Sequence, residues 1–69
     1  MKYMVVIEKA KRNYSAYVPD LPGCVAAAET KNEVICLIKE ALQFHLESFT
    51  NDGEQIPEPN SSSTYIEVT

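Results

Sequence analysis

The chain has 69 residues, 45% hydrophobic and 23% charged, with six Lys+Arg against ten Asp+Glu for a net charge of −4. That length holds one small domain and excludes a two-domain enzyme with its own cofactor domain. No apolar run approaches the ~20 residues of a membrane span. The acidic balance disfavours direct binding to a nucleic-acid backbone, which needs clustered positive charge, and suits a partner that is itself basic.

A domain this small buries only about 60% of its unfolded surface, and a single core supplies roughly 3–5 kcal/mol unless something else supports it. The start, Met1 to Glu8, has one early cation and a short apolar run but no full h-region or small-residue cleavage site. A cytoplasmic location is expected, where thiols stay reduced. Cys24 and Cys36 form no C-x-x-C pair, and His45 is the single histidine. Neither a disulfide nor a zinc site is therefore expected to staple the fold, and no cofactor is implied. Self-association, as a homodimer or homotetramer, is the remaining support.

Lys2 to Glu8 reads as a first strand, with β-branched residues at Val5, Val6 and Ile7. Its alternate sets, Tyr3/Val5/Ile7 and Met4/Val6/Glu8, are both largely apolar, so both faces call for cover. Lys9 to Asn13 fits a basic hairpin loop. Tyr14 to Val18 is a second strand with Tyr14, Ala16 and Val18 on one face. Pro19-Asp20-Leu21-Pro22-Gly23 is dense in turn formers, and Cys24 to Ala28 makes a third, weaker strand of small residues.

Thr30-Lys31-Asn32-Glu33 fits the capping box T-x-x-E and opens a helix. Val34, Leu37, Ile38, Ala41, Leu42, His45 and Phe49 fall on one apolar arc, flanked by Ile35, Phe44 and Leu46. Cys36, Lys39, Glu40, Gln43 and Glu47 lie opposite. Gly53 suits a left-handed stop. Glu54 to Ser63, with two prolines and a serine run, reads as irregular, and Thr64 to Val68 reads as a final strand. The order is βββαβ, an α+β two-layer sandwich with one helix packed on a four-stranded sheet. One helix covers one sheet face. The other, carrying Tyr3/Val5/Ile7 or Met4/Val6, is left as an interaction surface. Tyr3, Met4, Val5, Val6 and Ile7 are thus the candidate oligomer residues.

Catalytic readings are weak. His45, the single histidine, is the first catalytic suspect but sits mid-arc, as a packed histidine would. A Cys24–His45 nucleophile pair has no motif to fix it, and Cys36 has no activating neighbour. Asp20, Glu29 and Glu33 match no metal-ligand spacing. Lys9, Lys11 and Arg12, with Tyr14 and Tyr17 nearby, could touch RNA, but three cations on an acidic chain fit a solvated loop tip better. No phosphate-binding loop or Ser/His/Asp order is present.

The segment Tyr14 to Cys24, an apolar strand followed by P-D-x-P-G-C, resembles the signature of the HicB-like antitoxin family. The similarity continues through Thr30 and Glu33, Lys39-Glu40-Ala41-Leu42, His45-Leu46-Glu47, and Gly53-Glu54-Gln55-Ile56-Pro57-Glu58-Pro59, which resembles the family's G-x-x-I-P-x-P segment. The resemblance implies a βββαβ domain, a truncated relative of the RNase H fold without nuclease activity. It marks Pro19, Asp20, Pro22, Gly23 and Cys24 as the family-motif turn. It also implies a partner, a small basic HicA-type toxin that cleaves mRNA and is neutralised by occlusion. Many members carry a C-terminal helix-turn-helix or ribbon-helix-helix domain. None follows the last predicted strand, so residues 1–69 are expected to form one domain without DNA binding. Against the antitoxin reading stand an orphan homo-oligomeric domain with a structural or small-ligand role, and a metal-dependent nuclease using Asp20 and Glu29.

Overall fold

The computed structural model describes residues 1–69 and contains three strands and one helix: β1 (Val6–Lys9), β2 (Tyr14–Tyr17), β3 (Val25–Ala28) and α1 (Lys31–Asn51). The sheet is antiparallel in the order β1-β2-β3, so β1 and β3 are both edges. The register pairs Val6 with Tyr17 and Ile7 with Ala16 across the first ladder. Across the second it pairs Ala16 with Ala26 and Tyr17 with Val25. The β1–β2 hairpin closes with the Ala10 N–H donating to the Asn13 carbonyl at 2.9 Å.

The first strand is shorter than its composition suggests, because its partner turns away. Val5 would oppose Val18, but the Val18 N–H donates to the Cys24 carbonyl at 3.1 Å instead. Two successive turns follow. The Leu21 N–H donates to the Val18 carbonyl at 3.0 Å, and the Cys24 N–H to the Leu21 carbonyl at 3.1 Å. Pro19-Asp20 and Pro22-Gly23 occupy the central positions of the two turns. Gly23, at φ 87°, supplies the positive φ that a proline-initiated type II turn needs at its third residue. This double turn points every third residue inward. Val18, Leu21 and Cys24 are half of the six buried core residues, with Ala16, Val34 and Ile38.

Thr30 caps α1 as its sequence foretells. Its φ of −124° is non-helical, its hydroxyl oxygen accepts from the Glu33 N–H at 3.1 Å, and the hydroxyl proton goes to the Glu33 carboxylate at 2.9 Å. Glu33 thus returns to the cap through the hydroxyl. Such a cap contributes about 1 kcal/mol. At the other end Gly53, at φ 72°, terminates the helix. The Gly53 N–H donates to the Thr50 carbonyl at 3.2 Å and the Glu54 N–H to the Phe49 carbonyl at 2.9 Å, the paired bonds of a Schellman motif.

α1 packs over β2 and β3. Val34 and Ile38 are buried, and Ala41, Leu42, Leu46 and Phe49 pack against the core with Tyr3, Val5, Ile7 and Tyr14. Leu37, expected on the buried arc, is 42% exposed, and Phe44 is 72% exposed. Leu37 lies along the helix between Val34 and Ile38, both buried, but at the margin of the arc, so the limit is the width of the sheet beneath the helix and not its length. The sheet is too small to cover the whole arc.

The fourth strand is not formed. No residue from Gln55 to Thr69 makes a backbone–backbone hydrogen bond, and Tyr65, Ile66 and Val68 are exposed. The four-stranded sheet expected from the sequence is therefore three-stranded within this chain. Strand-forming composition at Thr64 to Val68 does not by itself make a strand, and the outer edges of β1 and β3 both stay unpaired.

Candidate interaction surface

The register divides the apolar residues of β1 between the two faces. Ile7 opposes Ala16, and Ala16 is buried against the helix, so Tyr3, Val5 and Ile7 lie on the helix side. Met4 and Val6 lie on the other side, which no element covers. There Val6, Tyr17 and Val25 stand opposite one another across the three strands, a continuous apolar row with Tyr17 41% and Val25 64% exposed. Of the five candidate oligomer residues, only Met4 and Val6 belong to this open face. Tyr17 and Val25 were missed. The alternation that assigns Tyr14, Ala16 and Val18 to one side already assigns Tyr17 to the other, but only the β2–β3 register aligns Val25 with it.

The motif turn has an inward and an outward part. Cys24 is buried among apolar side chains, and burial pushes its thiol pKa up, the opposite of what a nucleophile needs. His45 is half-buried beside Gly23, where its Cε1 would lie 3.9 Å from a Cβ. Asp20 faces outward and binds the chain beyond the helix. Its carboxylate accepts from the Ser61 N–H at 3.1 Å and from the Ser61 hydroxyl at 2.9 Å. Partial burial acts to raise the Asp20 pKa, but the two Ser61 bonds and one from the Asn60 backbone outweigh it and hold the carboxyl below its ordinary value. Tyr3 makes a second tie by donating its hydroxyl to the Pro57 carbonyl. Residues 57–61 are thereby held across the start of the sheet. Ser61 could not be identified as the Asp20 partner from sequence, since 41 residues separate the two.

Asp20 and Glu33 are thus engaged, with Ser61 and Thr30, and no three His, Cys, Asp or Glu side chains converge as a metal site would require. In the basic loop, the Lys9 ammonium lies 5.9 Å from the Tyr14 ring centroid, a cation–π distance. No helix is long and apolar enough to cross a membrane. A groove of about 390 Å³ runs beside β1 on its helix side, lined by Val5, Ile7, Lys9, Tyr14, Lys31 and Tyr65. It is open because α1 sits over β2 and β3.

The family model for the HicB-like antitoxin of bacterial toxin–antitoxin systems matches residues 3–68. A UPF0150 protein of Thermoplasma acidophilum is 42% identical over 67 residues, covering 96% of this chain and 97% of that protein. A 14.9 kDa protein of Haemophilus phage HP1, from the rep–hol intergenic region, is 41% identical over 66 residues; this chain spans half its length. Among solved structures, the HicA3 and HicB3 toxin–antitoxin complex contains a chain that superposes with a TM-score of 0.66 at 29% identity. That superposition covers 86% of this chain and 72% of the other. The double turn, the capped helix and the helix-stop glycine thus stand inside a match that runs almost end to end, and this chain belongs to the HicB-like antitoxin family.

Proposed function

We propose that the chain is a non-catalytic, antitoxin-type protein-binding module that neutralises a small basic toxin of the HicA type by covering its RNA-binding surface. The observation that carries this reading is the superposition on a chain of a solved toxin–antitoxin complex over 86% of the residues. The net charge of −4 supports a basic partner, and occlusion needs only complementary charge and about 1,200–2,000 Å² of total buried area. The module self-associates, and the row Met4, Val6, Tyr17 and Val25 is an apolar surface available for that purpose or for the toxin. The antiparallel order β1-β2-β3 followed by a helix agrees with a truncated RNase H-like arrangement. The motif turn Pro19, Asp20, Pro22, Gly23 and Cys24 serves as a structural corner.

Co-expression of the neighbouring small basic reading frame tests the reading. That frame should arrest growth alone, and this protein should restore growth and co-purify with it. Toxicity without rescue or co-purification rejects the antitoxin role, and absence of any such frame favours an orphan oligomeric domain.

A further inference from the structure

Leu37 and Phe44 are large apolar side chains that α1 leaves in solvent. They stand seven residues apart, and the helix carries carboxylates at the same interval. Glu33, Leu37, Glu40, Phe44, Glu47 and Asn51 alternate in steps of four and three, and all six are exposed. At helical spacing they fall within an arc of about 80°, outside the buried one. The stripe runs about 27 Å along the helix. A shallow hollow lies at each end. One, of about 320 Å³, is lined by Asn32, Glu33, Cys36 and Leu37. The other, of about 180 Å³, is lined by Phe44, Glu47, Ser48, Asn51 and Asp52.

The charge on this stripe is not balanced by the helix itself. No Lys or Arg stands three or four residues from Glu40 or Glu47, the spacings at which helix neighbours pair. The last turn of α1 has no cation, and Glu47 and the cap residue Asp52 stand near its partially negative end, where a carboxylate is unfavourable. Residues 29–54 hold six carboxylates against two cations. Residues 1–28, which make the open sheet face and the β1–β2 hairpin, hold four cations against two carboxylates. The acidity of the chain is thus concentrated on the helix, and the hairpin beside the open apolar row is basic.

A second copy docked on the stripe sets Glu against Glu, and nucleic acid or anionic lipid adds negative charge to negative charge. A basic protein surface supplies what the helix lacks. We propose that the outer stripe of α1, and not the open sheet row, is the docking surface for a basic protein of the toxin type. The partner seats an apolar side chain between Leu37 and Phe44 and sets two cations, about 10 Å apart, against Glu40 and Glu47. Phe44 is the anchor, and its ring offers a face to a guanidinium held by Glu47. The inference rests on the antitoxin reading above and assigns that reading a surface.

Titration of the full chain with the purified product of the neighbouring basic reading frame, at about 0.1 M salt, tests it. Phe44→Ala and the double variant Glu40→Lys/Glu47→Lys should each weaken binding about tenfold or more, while Val25→Thr on the open row stays within about twofold. The charge reversal should hold or raise the Tm of the free chain, since Glu47→Lys puts a cation near the negative end of the helix; weaker binding is then not unfolding. Amide shifts of ¹⁵N-labelled wild type give a readout that needs no variant. They should move along residues 33–52 on addition of the partner, and not at Val6, Tyr17 and Val25. Full-strength binding by both helix variants, or shifts centred on the open row, overturns the stripe and leaves the antitoxin reading standing. A wild type that binds nothing, or the absence of any such frame, overturns both.

Discussion

Replacing Gly23 by alanine isolates the conformational role of the motif turn from its packing. Gly23 has φ 87°, and the nearest atom to a Cβ there would be His45 Cε1 at 3.9 Å, an ordinary contact. The added methyl therefore meets nothing, and the cost is that of holding an L-residue at positive φ, about 1–2 kcal/mol. The backbone has little room to relax. Leu21 and Cys24, on either side, are both 1% exposed in the core, and the Cys24 N–H and carbonyl are each bonded within the double turn. Total stability for a domain of this length is only about 3–10 kcal/mol. At about 4–8 °C per kcal/mol for a small domain, Gly23→Ala should lower Tm by roughly 5–15 °C at fixed protein concentration. Gly53→Ala is the matched control, with φ 72° and nothing within 4 Å of the added Cβ. It sits at a helix end that frays, so its effect should be smaller. Gly23→Asn, whose side chain tolerates the left-handed region, should recover part of the loss. A Tm for Gly23→Ala within 2 °C of wild type would refute the argument, as would a loss no larger than that of Gly53→Ala.

The Asp20–Ser61 tie should respond to acid. Asp20 has a folded pKa below its ordinary value of 3.8, so the tie is fully present above that pH and is lost as pH falls through the lower folded value. Carboxyl-detected NMR titration should place Asp20 below 3.8, with Ser61 amide protection disappearing over the same range; a midpoint at or above 3.8 contradicts the geometry. The two thiols should separate cleanly with a maleimide. Cys36 is exposed and should label at once, whereas Cys24 should label only at the rate at which the core opens, so rapid modification of both would remove Cys24 from the core.

The elements that were legible in the sequence are those whose signal is local. Thr30 and Glu33 form the cap from four consecutive residues. Gly53 ends the helix because its own φ allows it, and Pro19 to Gly23 marks a corner by its turn formers, although the burial of Val18, Leu21 and Cys24 around it is visible only in the structure. The candidate surface was legible only in part. Alternation told that the two faces of β1 differ, but Met4/Val6 and Tyr3/Val5/Ile7 are both apolar, and nothing within that strand says which set the helix takes. Leu37 shows a similar ambiguity, since helical spacing gives an arc but not the width of the sheet that covers it.

Composition and local pattern by themselves determined an α+β arrangement, its helix and caps and a turn-dense corner, and the motif residues carried the resemblance to the family that the family model shows. Only the tertiary structure decided that Ile7 shares the helix side with Ala16, that Val6, Tyr17 and Val25 form the open row, and that Asp20 holds Ser61. It also decided that Thr64 to Val68 goes unpaired within the chain. The physical reason is the reach of each interaction. Caps and turns close over three to six residues and are encoded where they act, whereas a strand or a sheet face is completed by whatever surface the rest of the fold leaves free.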